Sequence, residues 1–387
     1  MLKSGRTGAN SPEEGSLPRD IAALPPLTID EDVDNLMEDF EENYERPYRD
    51  NAARTLFRFS RGDNDTMNST RSLYESDVLY TMINGRRYCK DYCQPNDEEE
   101  QTRCQILHGV FLYLLDQKLT TVPLNNPHKI LDIGTGTGEW AMALADEYPE
   151  AEIIGTDIAK IQPSAVPLNV FFEIDDAEEP WTWPEDDFDF IHFRSMQGAF
   201  KDWRYVYSEA YKHLKPGGWI EVLDFDDHKV LFSYFDDNPE VVQWYADVVE
   251  ASKISGRPKT AAHLEPDVLT ELGFVDVKTT LKTIPMGIWP EDPEEQRIGK
   301  HFLVTQLSGI EAVSLRPLVE NLSWELDDVK KCCETVINAT RNVALDPIKG
   351  RGMGFKVKVL VGRKPGGTTE DDSSIRTTKN VTGEIVH

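Results

Sequence analysis

The sequence predicts an α/β fold built on a mostly parallel sheet. Three observations carry this. Between residues 127 and 225, short apolar runs alternate with helical stretches. The first run ends in a glycine turn, Gly134-Thr135-Gly136-Thr137-Gly138, that leads straight into a helix. The next two runs end in acids, at Asp157 and at Asp175-Asp176. Strands alternating with helices through short turns give parallel sheets with right-handed crossovers. Such sheets bind ligands outside the carboxyl ends of their strands.

Taken in chain order, residues 1–40 are rich in Gly, Pro, Ser and acids and read as a disordered acidic tail. Residues 41–122 read as an N-terminal helical lid segment, with Tyr74, Tyr80, Arg86, Arg87, Tyr88 and Tyr92 mixing aromatic and basic character. Its main helix starts after Pro95-Asn96-Asp97 and runs to about Lys118. Strands are expected at 129–133, 152–156, 170–174, 188–193 and 219–225, with helices at 139–147 and 203–214. Pro216-Gly217-Gly218 reads as a turn before the fifth strand. Beyond residue 226, helices are expected at 241–252 and 263–272, then a long strand at 275–285. Residues 293–344 are mostly helical in pattern, and 355–361 form an apolar strand. The domain thus spans 123–365 with a helical insertion at about 290–345, and 366–387 is a second disordered tail.

Composition limits the function classes. With 69 acidic and 41 basic residues, the 387-residue chain carries a formal charge of −28. Phosphate recognition needs clustered Lys and Arg, so neither direct nucleic-acid binding nor an anionic membrane surface is expected. No apolar run reaches membrane-spanning length, and the N-terminus shows no signal-peptide core. An intracellular location is expected, the cytoplasm first with the nucleus admitted. Five cysteines argue against a disulfide framework. Cys89, Cys93, Cys104 and His108 loosely imitate zinc-ligand spacing, but Cys104 and His108 fall one turn apart on an amphipathic helix, so no metal is expected. Cys332 and Cys333 read as packing residues.

The glycine turn carries the chemistry. Its spacing is Gly-x-Gly-x-Gly, and Glu139 stands where a dinucleotide fingerprint requires a third-site glycine. The cofactor is therefore nucleotide-like but not NAD, and S-adenosylmethionine leads. Gly134, Thr135, Gly136 and Gly138 are the expected loop contacts, with backbone N–H groups at a helix start. Asp157, followed by Ile158, can accept from ribose hydroxyls. Asp176, followed by Ala177, can accept from an adenine amino group, with Asp175 as its competitor. Both acids could instead be ordinary caps. Asp132 either braces the loop or faces the cofactor's amino group.

These residues with Gly155-Thr156-Asp157 resemble class I S-adenosylmethionine-dependent methyltransferases. Further runs resemble the fungal LaeA-like branch: Ile161-Gln162-Pro163, Asp175-Asp176-Ala177-Glu178-Glu179-Pro180-Trp181, Phe188-Asp189-Phe190-Ile191-His192, Asp202-Trp203 and Leu214-Lys215-Pro216-Gly217-Gly218-Trp219. So do Tyr88, the Tyr92-x-x-Pro95-x-Asp97-Glu98 segment, Arg103, Trp324 and Gly362-Arg363-Lys364-Pro365. The resemblance covers roughly residues 75–365. It implies a Rossmann-like, seven-stranded sheet flanked by helices, with the last strand antiparallel and a helical lid. It departs at Gly352-Met353-Gly354-Phe355, where relatives often carry a histidine–aromatic pair, and at Cys93.

The expected activity is methyl transfer to an O or N atom of a small molecule in fungal secondary metabolism. The alternative implied by the resemblance is a LaeA-like regulator acting through velvet-type protein partners. No catalytic base stands out. Alternation places His192 on the face opposite Ile191 and Phe193, as a packed histidine, while His108, His228, His263 and His301 have no assigned role. Arg194, at the end of the fourth strand, could hold the methionine carboxylate, an acidic acceptor or a surface ion pair. Tyr88 and Tyr92 could fold over the sulfonium or pack within the lid. Trp289, Phe302 and Trp324, with those two tyrosines, are expected to give an apolar acceptor pocket.

Overall fold

A computed structural model describes residues 57–59, 80–90, 92–226 and 229–366. Both expected tails, apart from Gly366, and most of 41–79 lie outside the described residues. The strands are β1 (Phe57–Phe59), β2 (Tyr80–Ile83), β3 (Arg86–Cys89), β4 (Lys129–Ile133), β5 (Glu152–Asp157), β6 (Ala165–Pro167), β7 (Val170–Ile174), β8 (Phe188–Arg194), β9 (Leu214–Phe225), β10 (Val275–Pro285) and β11 (Gly354–Arg363). The helices are α1 (Glu98–Leu114), α2 (Glu139–Glu147), α3 (Trp203–His213), α4 (Pro239–Ile254), α5 (Pro266–Glu271), α6 (Pro293–Leu322) and α7 (Leu326–Ala344).

Seven strands form the main sheet in the order β10-β11-β9-β8-β4-β5-β7. The β4, β5, β7, β8 and β9 pairings are parallel, and β11 runs antiparallel between β9 and β10. Because β4, β5 and β8 are buried on both faces, they read as nearly continuous apolar runs. On one face Ile133, Ile191, Phe193 and Val222 pack with Val206, Tyr207 and Ala210 of α3 and Leu269 of α5. On the other, Ile130, Ile153 and Phe190 pack with Leu112 of α1 and Trp140 and Leu144 of α2. Helix α6 packs against α1, α4 and α7.

Several expectations need correction. Within the supposed helical lid segment, residues 80–89 form a β-hairpin, β2–β3, because Asn84-Gly85 sits at φ 54° and 86° and turns the chain. Helix α1 ends at Leu114, short of Lys118, since Asp116 and Gln117 adopt positive φ. Pro216-Gly217-Gly218 does not interrupt its strand; β9 continues through it, with a register shift between Phe188 and Phe190 on the neighbouring strand. The helix expected at 263–272 is a 3-10 turn, Ala262–Leu264, followed by α5, because Pro266 restarts the helix.

Candidate functional site

The C-terminal ends of β7, β5, β4 and β8 open into one cavity of about 200 Å³, walled on the other side by α1 and the segment after β3. The glycine turn forms its floor. Gly134, Gly136 and Gly138 have φ of 69°, 59° and 87°, values that favour glycine. At Gly136 a Cβ would meet nothing within 4 Å, so this backbone faces open cavity. Gly138 is different: it is the N-cap of α2, does not line the cavity, and lies against the Phe172 ring.

Asp132 is buried beneath the turn. It accepts from Thr135 Oγ1 at 2.7 Å and contacts His192 Nδ1 at 2.8 Å. His192 stacks on Trp140, with ring centroids 3.8 Å apart. The Trp140 indole donates to the Leu119 carbonyl at 2.8 Å. Asp132 thus braces the loop through Thr135 and also lines the cavity, and His192 packs below it.

Asp157 lies at the mouth of β5. Its two carboxylate oxygens accept from the backbone N–H groups of Gly136 and Ala159, each at 2.9 Å. Burial pushes its carboxyl up to about 6, against the pull of those two amides. Ile158, Asp175, Asp176 and Ala177 also line the cavity. Asp175 is turned onto the Asp176 amide at 2.9 Å, whereas Asp176 receives the Lys90 ammonium at 2.9 Å.

The segment after β3 forms a strap over this end of the cavity. Cys89 Sγ donates to the Ile158 carbonyl at 3.0 Å. Lys90 reaches Asp176 from a backbone with φ 48°. Arg316, on α6, donates from Nη1 to the carbonyls of Lys90 and Tyr92 at 3.0 and 2.9 Å, and its guanidinium lies 5.3 Å over the Tyr88 ring. Tyr92 lines the cavity. Tyr88 does not: it is wholly buried beneath Arg316, which decides for packing. Arg316→Met is expected to loosen the strap and weaken S-adenosylhomocysteine binding roughly tenfold, the order of one or two lost charge-assisted bonds. Calorimetry reads this directly, and unchanged affinity would show the strap to be independent of α6.

Arg194 lines the cavity from the end of β8. Its Nη2 lies 3.1 Å from His108 Nδ1, and the guanidinium lies 5.3 Å over Phe111. Burial lowers the pKa of Arg194. Burial, then Arg194 itself, holds His108 well below the usual histidine range. The expected aromatic pocket is not here. Trp289 donates to the Met353 carbonyl, Phe302 packs on Phe225 and Phe355, and neither they nor Trp324 line this cavity. Leu107, Phe111, Met196 and Phe200 supply its apolar wall instead. Lys90 and Arg103 were not singled out as ligand contacts from sequence; the helical spacing of Arg103, Leu107 and Phe111 could have signalled a lining face. Among the described residues no three His, Cys, Asp or Glu gather as a metal site. No described helix is long and apolar enough to cross a membrane.

Residues 106–277 match the family description "Methyltransferase domain". The chain is 35% identical over 257 residues to "Secondary metabolism regulator LAE1" of Cochliobolus heterostrophus, covering 64% of this chain and 84% of that protein. It is 36% identical over 276 residues to "Methyltransferase pytC" of Aspergillus terreus, covering 68% and 84%. The chain belongs to the LaeA-like branch of class I S-adenosylmethionine-dependent methyltransferases. This methyltransferase is also 30% identical over 274 residues to "Protein-methionine methyltransferase laeA" of Emericella nidulans, covering 70% and 72%. S-adenosylmethionine is its cofactor, and it acts on a methyl acceptor. The cavity suits that cofactor in one particular respect: the open backbone at Gly136 is hydrogen-bonded to the acid at the end of the next strand.

Proposed function

We propose that the cavity transfers a methyl group from S-adenosylmethionine to an O or N atom of a small molecule of fungal secondary metabolism. The observation that carries this reading is the shape of the site. One cavity joins the glycine turn and both strand-end acids to an apolar wall from α1. Gly134, Thr135 and Gly136 cradle the nucleoside end, and Gly138 sets the start of α2 behind them. Asp157 and Ile158 take the ribose. Asp176 and Ala177 take the adenine, with Lys90 sharing the Asp176 carboxylate. Asp132 holds the turn in shape through Thr135. Tyr92 closes the strap side, and Arg194 stands where donor and acceptor meet.

Bound there, S-adenosylmethionine supplies an electrophilic methyl group together with its leaving group. The protein's share is orientation and exclusion of water. His108 is not arranged as a general base: its Nδ1 accepts from Arg194, so the proton sits on Nε2. An acceptor that reacts as an amine or a ready oxyanion needs no protein base. Incubating the full chain with S-adenosylmethionine and a fungal metabolite extract should yield S-adenosylhomocysteine and a methylated small molecule. Cofactor binding without turnover across such extracts would overturn this reading.

A second reading has one observation in its favour: relatives carry the name "Secondary metabolism regulator". On that reading the fold serves regulation through protein partners of the velvet type, in cytoplasm or nucleus. Its signature would be a stable complex with such proteins that forms equally well in a variant unable to bind the cofactor.

A further inference from the structure

Four cationic side chains, Lys90, Arg103, Arg194 and Arg257, line the cavity. Three are neutralised by carboxylates of the same cavity. Lys90 pairs with Asp176 at 2.9 Å, Arg103 with Glu100 at 2.6 Å, and Arg257 with Glu178 at 2.6 Å. Arg194 has no such partner among the described residues. Its contacts are a neutral imidazole and an aromatic face.

The nearby carboxylates, Asp132, Glu139 and Glu221, act on Arg194 only through their fields, without an ion-pair contact. Asp132 is taken by His192 and Thr135. Glu221 accepts from the amide and hydroxyl of Thr121 through Oε2, while its buried Oε1 has no hydrogen-bond partner and no ion-pair contact with Arg194. Glu139 is taken by the Thr137 hydroxyl. A buried guanidinium without a carboxylate in direct contact is costly, and breaking a buried pair leaves just that state. Its fork is also fixed. His108 holds Nη2 and Phe111 supports the plane, which leaves Nη1 and Nε for a ligand. Phe111 lies against its plane, and Leu107, Met196 and Phe200 line the same cavity.

We propose that Arg194 reads an oxyanion on the methyl acceptor, so that the acceptor is a carboxylic acid with a flat or apolar body. This rests on the reading of the cavity as a methyl-transfer site. The side chain is held against α1, through His108 and Phe111, rather than against the glycine turn. That places the unmet charge on the acceptor wall. The group is a specificity residue: it selects and orients the acid, while His108 positions it.

The test uses the full chain saturated with S-adenosylhomocysteine, with benzoate and its neutral counterpart benzamide as probes. Benzoate should bind at least about tenfold more tightly than benzamide, the scale of a charge-assisted contact. Arg194→Gln should erase that preference, and Arg194→Lys should keep part of it. Because Arg194→Gln could fail to fold, thermal melting accompanies each variant, and the wild-type comparison of the two probes stands alone. Equal binding of benzoate and benzamide, or none by benzoate, overturns the proposal. So does a second pattern: Arg194→Gln weakens S-adenosylhomocysteine but not 5′-methylthioadenosine, which lacks the amino-acid moiety. The anion would then be the cofactor's own carboxylate. Failure of wild-type protein to bind S-adenosylhomocysteine would instead defeat the methyl-transfer reading, before either probe is added.

Discussion

Asp157→Ala is expected to lower S-adenosylhomocysteine affinity by about 100-fold or more, the scale of two lost bonds to a charged acceptor. Two effects act in the same direction. The ribose loses its acceptor, and the amides of Gly136 and Ala159 lose theirs. Asp157→Asn separates them, because an amide oxygen can still hold one of the two N–H groups. The same residue sets a pH dependence. Burial raises its carboxyl from 3.8 to about 6. A raised acid favours the folded protein in its protonated form, so this stabilisation is full below 3.8 and is lost as pH rises through about 6. Ribose recognition needs the ionised form. Cofactor affinity should therefore be highest above pH 6 and weaken below it, approaching tenfold per pH unit, with Asp157→Asn insensitive. A flat wild-type profile through that range would remove Asp157 from the ribose site.

Gly287→Ala is expected to lower the melting temperature by roughly 5–10 °C, from a strained backbone plus a forced shift of packed elements. Gly287 sits at φ 95°, just beyond β10, and a Cβ there would run into the backbone of Ala344 at the end of α7. Its amide donates to Gly299 of α6 at 2.9 Å, and the next amide, Ile288, donates to Ala344 at 3.0 Å. One residue thus stitches strand, α6 and α7. Gly217→Ala is the matched control: φ is 88°, with nothing within 4 Å of the added carbon. A similar drop in both variants would mean that backbone conformation alone matters at Gly287.

The sheet was legible because its signals are local. β4, β5 and β8 are apolar runs closed by Gly134, Asp157 and Arg194, and each run's end marks the ligand edge. The strand-end half of the cavity lining followed from those ends. The half from α1 did not, because that helix is distant in sequence and its pairings depend on contacts no periodicity reveals. Lys90 finds Asp176 across 86 residues, and Arg194 finds His108 across the same separation. The lid aromatics misled for a related reason. Phe302 is apolar because α6 is buried against the sheet's aromatic rings, not because it faces a ligand. Asn84-Gly85 is a strong turn signal, but the aromatic and basic residues around it obscure the alternation of the hairpin strands.

The bond from Arg316 to the Lys90 carbonyl spans 226 residues, and β11 enters the sheet between strands made earlier. During synthesis the glycine turn and both strand-end acids emerge long before the helix that fastens the strap above them. A nascent chain that has reached β9 holds the nucleoside floor without its cover. Tight cofactor capture is then expected only late in translation, so that ribosome-bound and released chains should differ in ligand affinity.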